Sequence, residues 1–168
     1  TALLLNGSEL YQAGFVYPTA LPAGNTTLLQ AGFMDTTALQ TESADGVYFY
    51  MSNVSLQGKI SNNSARNITI SNLTIVPGTW YDLRITIAAD ARSANFIVFN
   101  GTRGASLTPL FNQTITNSPT VSIPVLTGRE TGAGFDCGAT SAGRAATICS
   151  VDYIQAEIET NRRRGLYP

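Results

Sequence analysis

An all-β chain folded as an antiparallel β-sandwich is what this sequence predicts, on three observations. The segment from Trp80 to Ile87 alternates strictly, with Tyr81, Leu83, Ile85 and Ile87 on one face and Asp82, Arg84 and Thr86 on the other. That is the period-two pattern of a strand with one side on a core. Short apolar or alternating runs recur along the chain between clusters of Gly, Pro, Asn and Ser, which is the spacing of a sandwich or barrel. Charged residues are only 12% of the 168, about half the usual share, whereas long amphipathic helices need more Glu and Lys.

The elements follow in order. Residues 2–5 (Ala-Leu-Leu-Leu) are too short for a signal h-region and lack a basic flank, so they are expected to be a buried first strand. Strands are expected at residues 14–17, 27–29 and 47–51, with a helical turn or two at residues 36–43 as the main candidate for helix. Between residues 66 and 76 the apolar phase slips. Ile68 and Ile70 share one parity and Leu73 and Ile75 the other, which predicts a bulge or strand change near Ser71 and Asn72. The Pro77-Gly78 turn feeds the only tryptophan, Trp80, into the strand already described; Trp80 is expected in core or sheet-edge packing. Residues 94–99 form the next strand and close on Asn100-Gly101, whose left-handed tolerance suits a tight hairpin. Further runs lie at residues 107–111, 121–126 and 146–158.

The motif Gly78-Thr79-Trp80-Tyr81-Asp82-Leu83-Arg84-Ile85, then residues 94–101 and a closing Val151-Asp152-Tyr153-Ile154, resembles the concanavalin A-like lectin/glucanase jelly roll, in the version found in bacteriophage structural proteins. The likeness covers roughly residues 32–158, including Gly32-Phe33-Met34-Asp35 and Asp45-Gly46-Val47-Tyr48-Phe49. It implies a concanavalin-like jelly roll serving a virion as capsid decoration or tail-fibre module. Its motifs are those of strands and turns, so they specify fold better than function.

Length and composition bound the rest. A chain of this size fits one domain spanning residues 1–168 with a real two-layer core, and no repeat or linker divides it. Net charge is −1, which leaves no broad positive field for nucleic acid. The basic cluster Arg162-Arg163-Arg164 fits a solvated tail, and no apolar run approaches the roughly 20 residues needed to cross a bilayer. The ends, about residues 1–14 and 159–168, are expected to contact neighbouring subunits, because Leu3, Leu4, Leu5, Leu166 and Tyr167 are costly to leave in water.

The two cysteines, Cys137 and Cys149, flank a turn at residues 141–144, so a hairpin could bring them together across strands. A disulfide and a pair of free thiols both fit, and compartment decides between them. Eight sequons stand at Asn6, Asn25, Asn53, Asn62, Asn67, Asn72, Asn100 and Asn112. They fit either the polar turns of a β-protein or a secreted N-glycosylated coat or filament subunit.

Histidine is absent, so no Ser-His-Asp or Cys-His device can form. The fold's glucanase members use a Glu-x-Asp-x-(x)-Glu type cluster on a central strand, whereas this chain offers Glu157-Ile158-Glu159 near its C-terminus, opposite Ile154, Ala156 and Ile158. A non-enzymatic role is therefore expected, with a glucanase the weakest reading. Lectin members hold calcium through loop carboxylates; Asp35, Glu42, Asp45, Asp136 and Asp152 are the hard ligands here, but they are scattered, and no cofactor is expected. Tyr48 and Tyr50 share one strand face and would form a glycan-stacking platform if that face lies outward. The expected partners are other copies of the chain, other virion proteins and cell-surface carbohydrate, at the virion or, in the alternative, outside the cell; a stand-alone carbohydrate-binding module is the other binding alternative.

Overall fold

The computed structural model describes residues 5, 7–17, 26–35, 42–124, 132–140 and 149–157. Eleven strands run through them: β1 (Leu10–Val16), β2 (Thr26–Met34), β3 (Gly46–Ser52), β4 (Ser55–Asn62), β5 (Ala65–Ile68), β6 (Leu73–Thr74), β7 (Trp80–Ile87), β8 (Ser93–Asn100), β9 (Pro109–Thr116), β10 (Gly132–Thr140) and β11 (Ser150–Glu157). No helix occurs among the described residues. The strands build two antiparallel sheets, β11-β1-β7-β8-β9 and β10-β2-β3-β4-β5, with β6 also on β4. The two sheets stack as a β-sandwich.

Alternation puts one face of each sheet into the core. From the five-stranded sheet come Tyr11, Ala13, Phe15, Leu83, Ile85, Phe96 and Val98, and from the other Leu29, Ala31, Phe33, Val47, Phe49, Met51 and Ile60, all buried in one cluster. Aromatic edges lock the layers: Tyr11 meets Phe33 at 5.9 Å between centroids and Phe49 meets Phe96 at 5.3 Å, both edge-to-face. Gly58 lies opposite Phe49 in the β3–β4 register, and a Cβ there would sit 2.4 Å from the Phe96 ring. The missing side chain is the slot that admits Phe96.

The period-two reading of β7 holds for its inner face, with Tyr81, Leu83, Ile85 and Ile87 all buried. It needs correcting at Asp82, which lies on the outer face yet is fully buried. The phase slip is also real: β5 stops at Ile68, β6 starts at Leu73, and Ile68 and Ile70 point to solvent while Ile75 is buried. Trp80 is half-buried at the start of β7.

Two other expectations fail for identifiable reasons, and others fall on residues outside those described. Asn100-Gly101 does not close a tight hairpin, because Gly101 (φ 93°) donates its N–H to the Trp80 carbonyl and opens a loop that lasts until Pro109 begins β9. Residues 121–124 form no strand, although Val121 and Ile123 are buried. The expected first strand and helical turn fall mainly on residues 1–4 and 36–41, outside the described residues; Leu5 is buried without being in a strand, and residues 42 and 43 are not helical. Within the supposedly reaching end 1–14, Leu10–Gly14 belong to β1, an interior strand between β11 and β7. Residues 159–168 lie outside the described residues.

Cys137 and Cys149 are joined by a disulfide, with Cα atoms 6.3 Å apart. It is not a cross-strand link within a hairpin, since Cys137 is on β10 and Cys149 immediately precedes β11, the edge strands of opposite sheets. The bond staples the two layers along one side of the sandwich.

Candidate functional site: two polar sheet faces

On the six-stranded sheet, Tyr48 and Tyr50 do lie on the outer face of β3, opposite Val47, Phe49 and Met51. Their surroundings differ sharply. Residues 42–45 fold back over Tyr48, whose hydroxyl donates to the Ser43 carbonyl at 3.1 Å and the Glu42 carboxylate at 3.2 Å. Tyr48 is fully buried, so the expectation of a stacking surface there is corrected. Burial and then the Glu42 charge raise its phenol far above the ordinary tyrosine value, only partly offset by hydrogen bonding to Arg66 and Ser61.

Tyr50 is half-buried. The Lys59 ammonium sits 3.7 Å from its ring centroid and also pairs with Glu42 at 2.7 Å, while Arg66 reaches the same carboxylate oxygen at 2.9 Å. Burial, followed by the Glu42 charge, raises the Tyr50 phenol as well. Strand register places Asp136, Gln30, Tyr50 and Gln57 in one transverse row. Gln57 donates to Asn72 at 2.6 Å, and Asn72 donates to Ser55 at 2.9 Å. One aromatic ring thus has a cation over it and a pair of linked amides beside it, with Asp136 two strands further along the row.

The five-stranded sheet carries a second polar cluster that sequence reading missed. Asp82 receives Gln12 Nε2 on both oxygens (2.9 and 3.0 Å), Arg84 Nε and Nη2 on Oδ2 (3.2 and 2.9 Å), and the Tyr153 hydroxyl on Oδ1 at 2.6 Å. Four donor groups make five contacts with the carboxylate. The cluster reads as a clamp on edge strand β11. Arg103 adds to it by donating to Gln155 at 2.9 Å.

The Glu157-Ile158-Glu159 carboxylates do not form a site among the described residues: Glu157 is exposed at the end of β11 and residues 158 and 159 lie outside. The face expected to be buried there is instead open, with Ile154 49% exposed, because β11 is an edge strand. No three acidic or sulfur ligands come together to hold a metal among the described residues. Of the sequons, Asn53, Asn72, Asn100 and Asn112 are exposed. Asn62 and Asn67 are half-buried and spend their amide nitrogens on Ser122 and the Thr116 carbonyl. Asn6 and Asn25 lie outside the described residues.

Fold and surface together define a jelly-roll domain of the lectin/glucanase kind. The chain belongs to the SO2946-like, C-terminal domain family, whose model matches residues 1–152. No curated protein matches the sequence. Among solved structures it is similar to the protein of unknown function SO2946 from Shewanella oneidensis MR-1 (TM-score 0.61, 19% identity, covering 91% of this chain and 60% of that one). It therefore spans well under two thirds of that protein. It is also similar to the catalytic domain of a glycoside hydrolase family 131 protein from Coprinopsis cinerea (0.55, 11%, covering 94% and 59%) and to sheep galectin-11 in complex with glycerol (0.51, 10%, covering 94% and 95%). At such identities the likeness shows the fold alone. Nothing in these likenesses indicates a bacteriophage origin.

Proposed function

We propose that this domain is a non-catalytic carbohydrate-binding module whose contact surface is the outer face of the six-stranded sheet, with Tyr50 as the stacking ring. The observation that carries the reading is the half-buried Tyr50 ring, in register with Gln57, whose amide is linked to Asn72, and with the Lys59 ammonium 3.7 Å from its centroid. A sugar presents a C–H face that packs on an aromatic ring and hydroxyls that need both donors and acceptors; amides supply both, a carboxylate accepts and an ammonium donates. The hydrogen-bonded Asp82 carboxylate and the Glu42 carboxylate paired with Lys59 and Arg66 support a binding role over hydrolysis.

The inter-sheet disulfide favours an oxidising compartment, hence an extracellular or particle-surface setting. In the narrower version the module decorates a capsid or forms part of a tail fibre and meets host glycans there. Binding to a panel of immobilised neutral and acidic glycans, compared between the wild-type chain and Tyr50→Ala, tests the proposal. A tenfold or greater loss in Tyr50→Ala, about 1.4 kcal/mol or more, with unchanged unfolding supports it. Equal binding by both proteins, or none by either, sinks it.

A further inference from the structure

Among the described residues β11 and β9 edge one sheet, β10 and β5 with the two-residue β6 edge the other, and β9 differs from the other long edges. β11 carries Asp152 and Glu157, β10 carries Asp136 and β5 carries Arg66, whereas β9 (Pro109–Thr116) carries no charge in eight residues. Natural sheets usually protect a long edge with charge, proline or a bulge. Here the proline and the register shift sit together at the Phe99–Pro109 end, leaving the following residues in regular register with β8. Toward the far end the Thr116 carbonyl accepts the Asn67 amide and the Gln113 side chain exchanges hydrogen bonds with Ser71, so among the described residues the uncovered positions are 110–112 and 114. Leu110 and Leu107 stand beside it in solvent, 51% and 94% exposed.

We infer that β9 is a homodimer edge, on which a second copy of this chain adds its own β9 antiparallel about a twofold axis. The absence of charge argues for a self-partner. In an antiparallel twofold pairing a side chain near the axis meets its own symmetry mate, so a charge there is brought close to its own kind, which is destabilising. Of the longer edge strands, β9 is the one with no charge at any position the axis could take. Its exposed residues Asn112 and Thr114 offer neutral hydrogen-bonding side chains, and Leu110 and Leu107 would pack at the ends of the joint. This surface is separate from the Tyr50 face and does not depend on it.

The site also contains its own block. Asn112 is the acceptor of an Asn-Gln-Thr sequon and is exposed, with its Oδ1 taking a hydrogen bond from Asn95 at 2.9 Å. A glycan attached there would occupy the joint.

Sedimentation velocity over a micromolar-to-millimolar concentration series of unglycosylated chain is the test. A reversible dimer is expected, with slowed amide exchange at residues 110–114 in the dimer. Asn112→Lys and Thr114→Lys should each raise the dimer dissociation constant on the order of a hundredfold, because like charges then meet at the axis, while Ile154→Lys on the opposite edge leaves it unchanged. Thermal unfolding of each variant separates lost pairing from lost fold. A chain that stays monomeric throughout, or a dimer broken by Ile154→Lys and indifferent to both lysines on β9, overturns the inference.

Discussion

The hydroxyl of Tyr153 donates to Oδ1 of Asp82 at 2.6 Å, tying edge strand β11 to a carboxylate two strands away on β7. The reach depends on Gly14 of the intervening β1, where a Cβ would lie 2.6 Å from the Tyr153 ring. Tyr153→Phe removes a hydrogen bond to a charged group and is expected to lower stability by about 2 kcal/mol. Gly14→Ala should displace the same ring, so its cost should largely vanish in a Tyr153→Ala background. Urea unfolding of the double-mutant cycle checks this; additive costs would mean that ring and glycine are not coupled.

The disulfide should act on the unfolded chain as much as on the native one. Its sequence separation of 12 corresponds to about 3 kcal/mol in the chain-entropy description. Cys137→Ser and Cys149→Ser are each expected to lose that amount, and reduction of the wild-type protein should reproduce the loss. Denaturant midpoints with and without reductant measure it.

Gly58→Ala places a methyl against the Phe96 ring in the middle of the core. Overpacking there should cost about 1–3 kcal/mol. The cost should shrink when Phe96→Leu is added, as read from thermal unfolding of the single and double variants.

Alkaline pH should unfold the domain. Burial raises the phenols of Tyr11, Tyr48 and Tyr153; the Glu42 charge adds to the effect at Tyr48, and the Asp82 hydrogen bond and charge add to it at Tyr153. A folded-state pKa above the unfolded one means that the native state holds its proton longer. Stability from these groups is therefore complete below about pH 10 and falls as pH rises beyond it. Urea midpoints from pH 7 to 11 should be flat and then drop above about pH 10, and a midpoint that rises there would contradict the burial of these rings.

Much of the fold was legible because burial and strand period coincide in β3, β7 and β8. β4 was not legible: its inner face is Leu56, Gly58 and Ile60, and the glycine erases one beat of the pattern. β10 was hidden for a similar reason, as Gly132, Gly134 and Gly138 dilute the signal of Phe135 and Cys137. The phase slip at residues 66–76 was readable, since a change of parity within one segment has few solutions other than a break. At the candidate site, parity correctly put Tyr48 and Tyr50 on one face, but only the fold-back of residues 42–45 decides that Tyr48 is covered while Tyr50 stays half-buried. The Asp82 cluster joins residues some 70 positions apart, Gln12 and Tyr153 with Asp82, and no local pattern carries that information.

The most direct test of a sugar-binding role is a glycan-panel measurement on folded wild-type protein beside Tyr50→Ala and Tyr153→Phe. Saturable binding that is lost with Tyr50 and kept in Tyr153→Phe is the expected result. Binding that survives removal of the Tyr50 ring, or its absence from every glycan, would contradict the account.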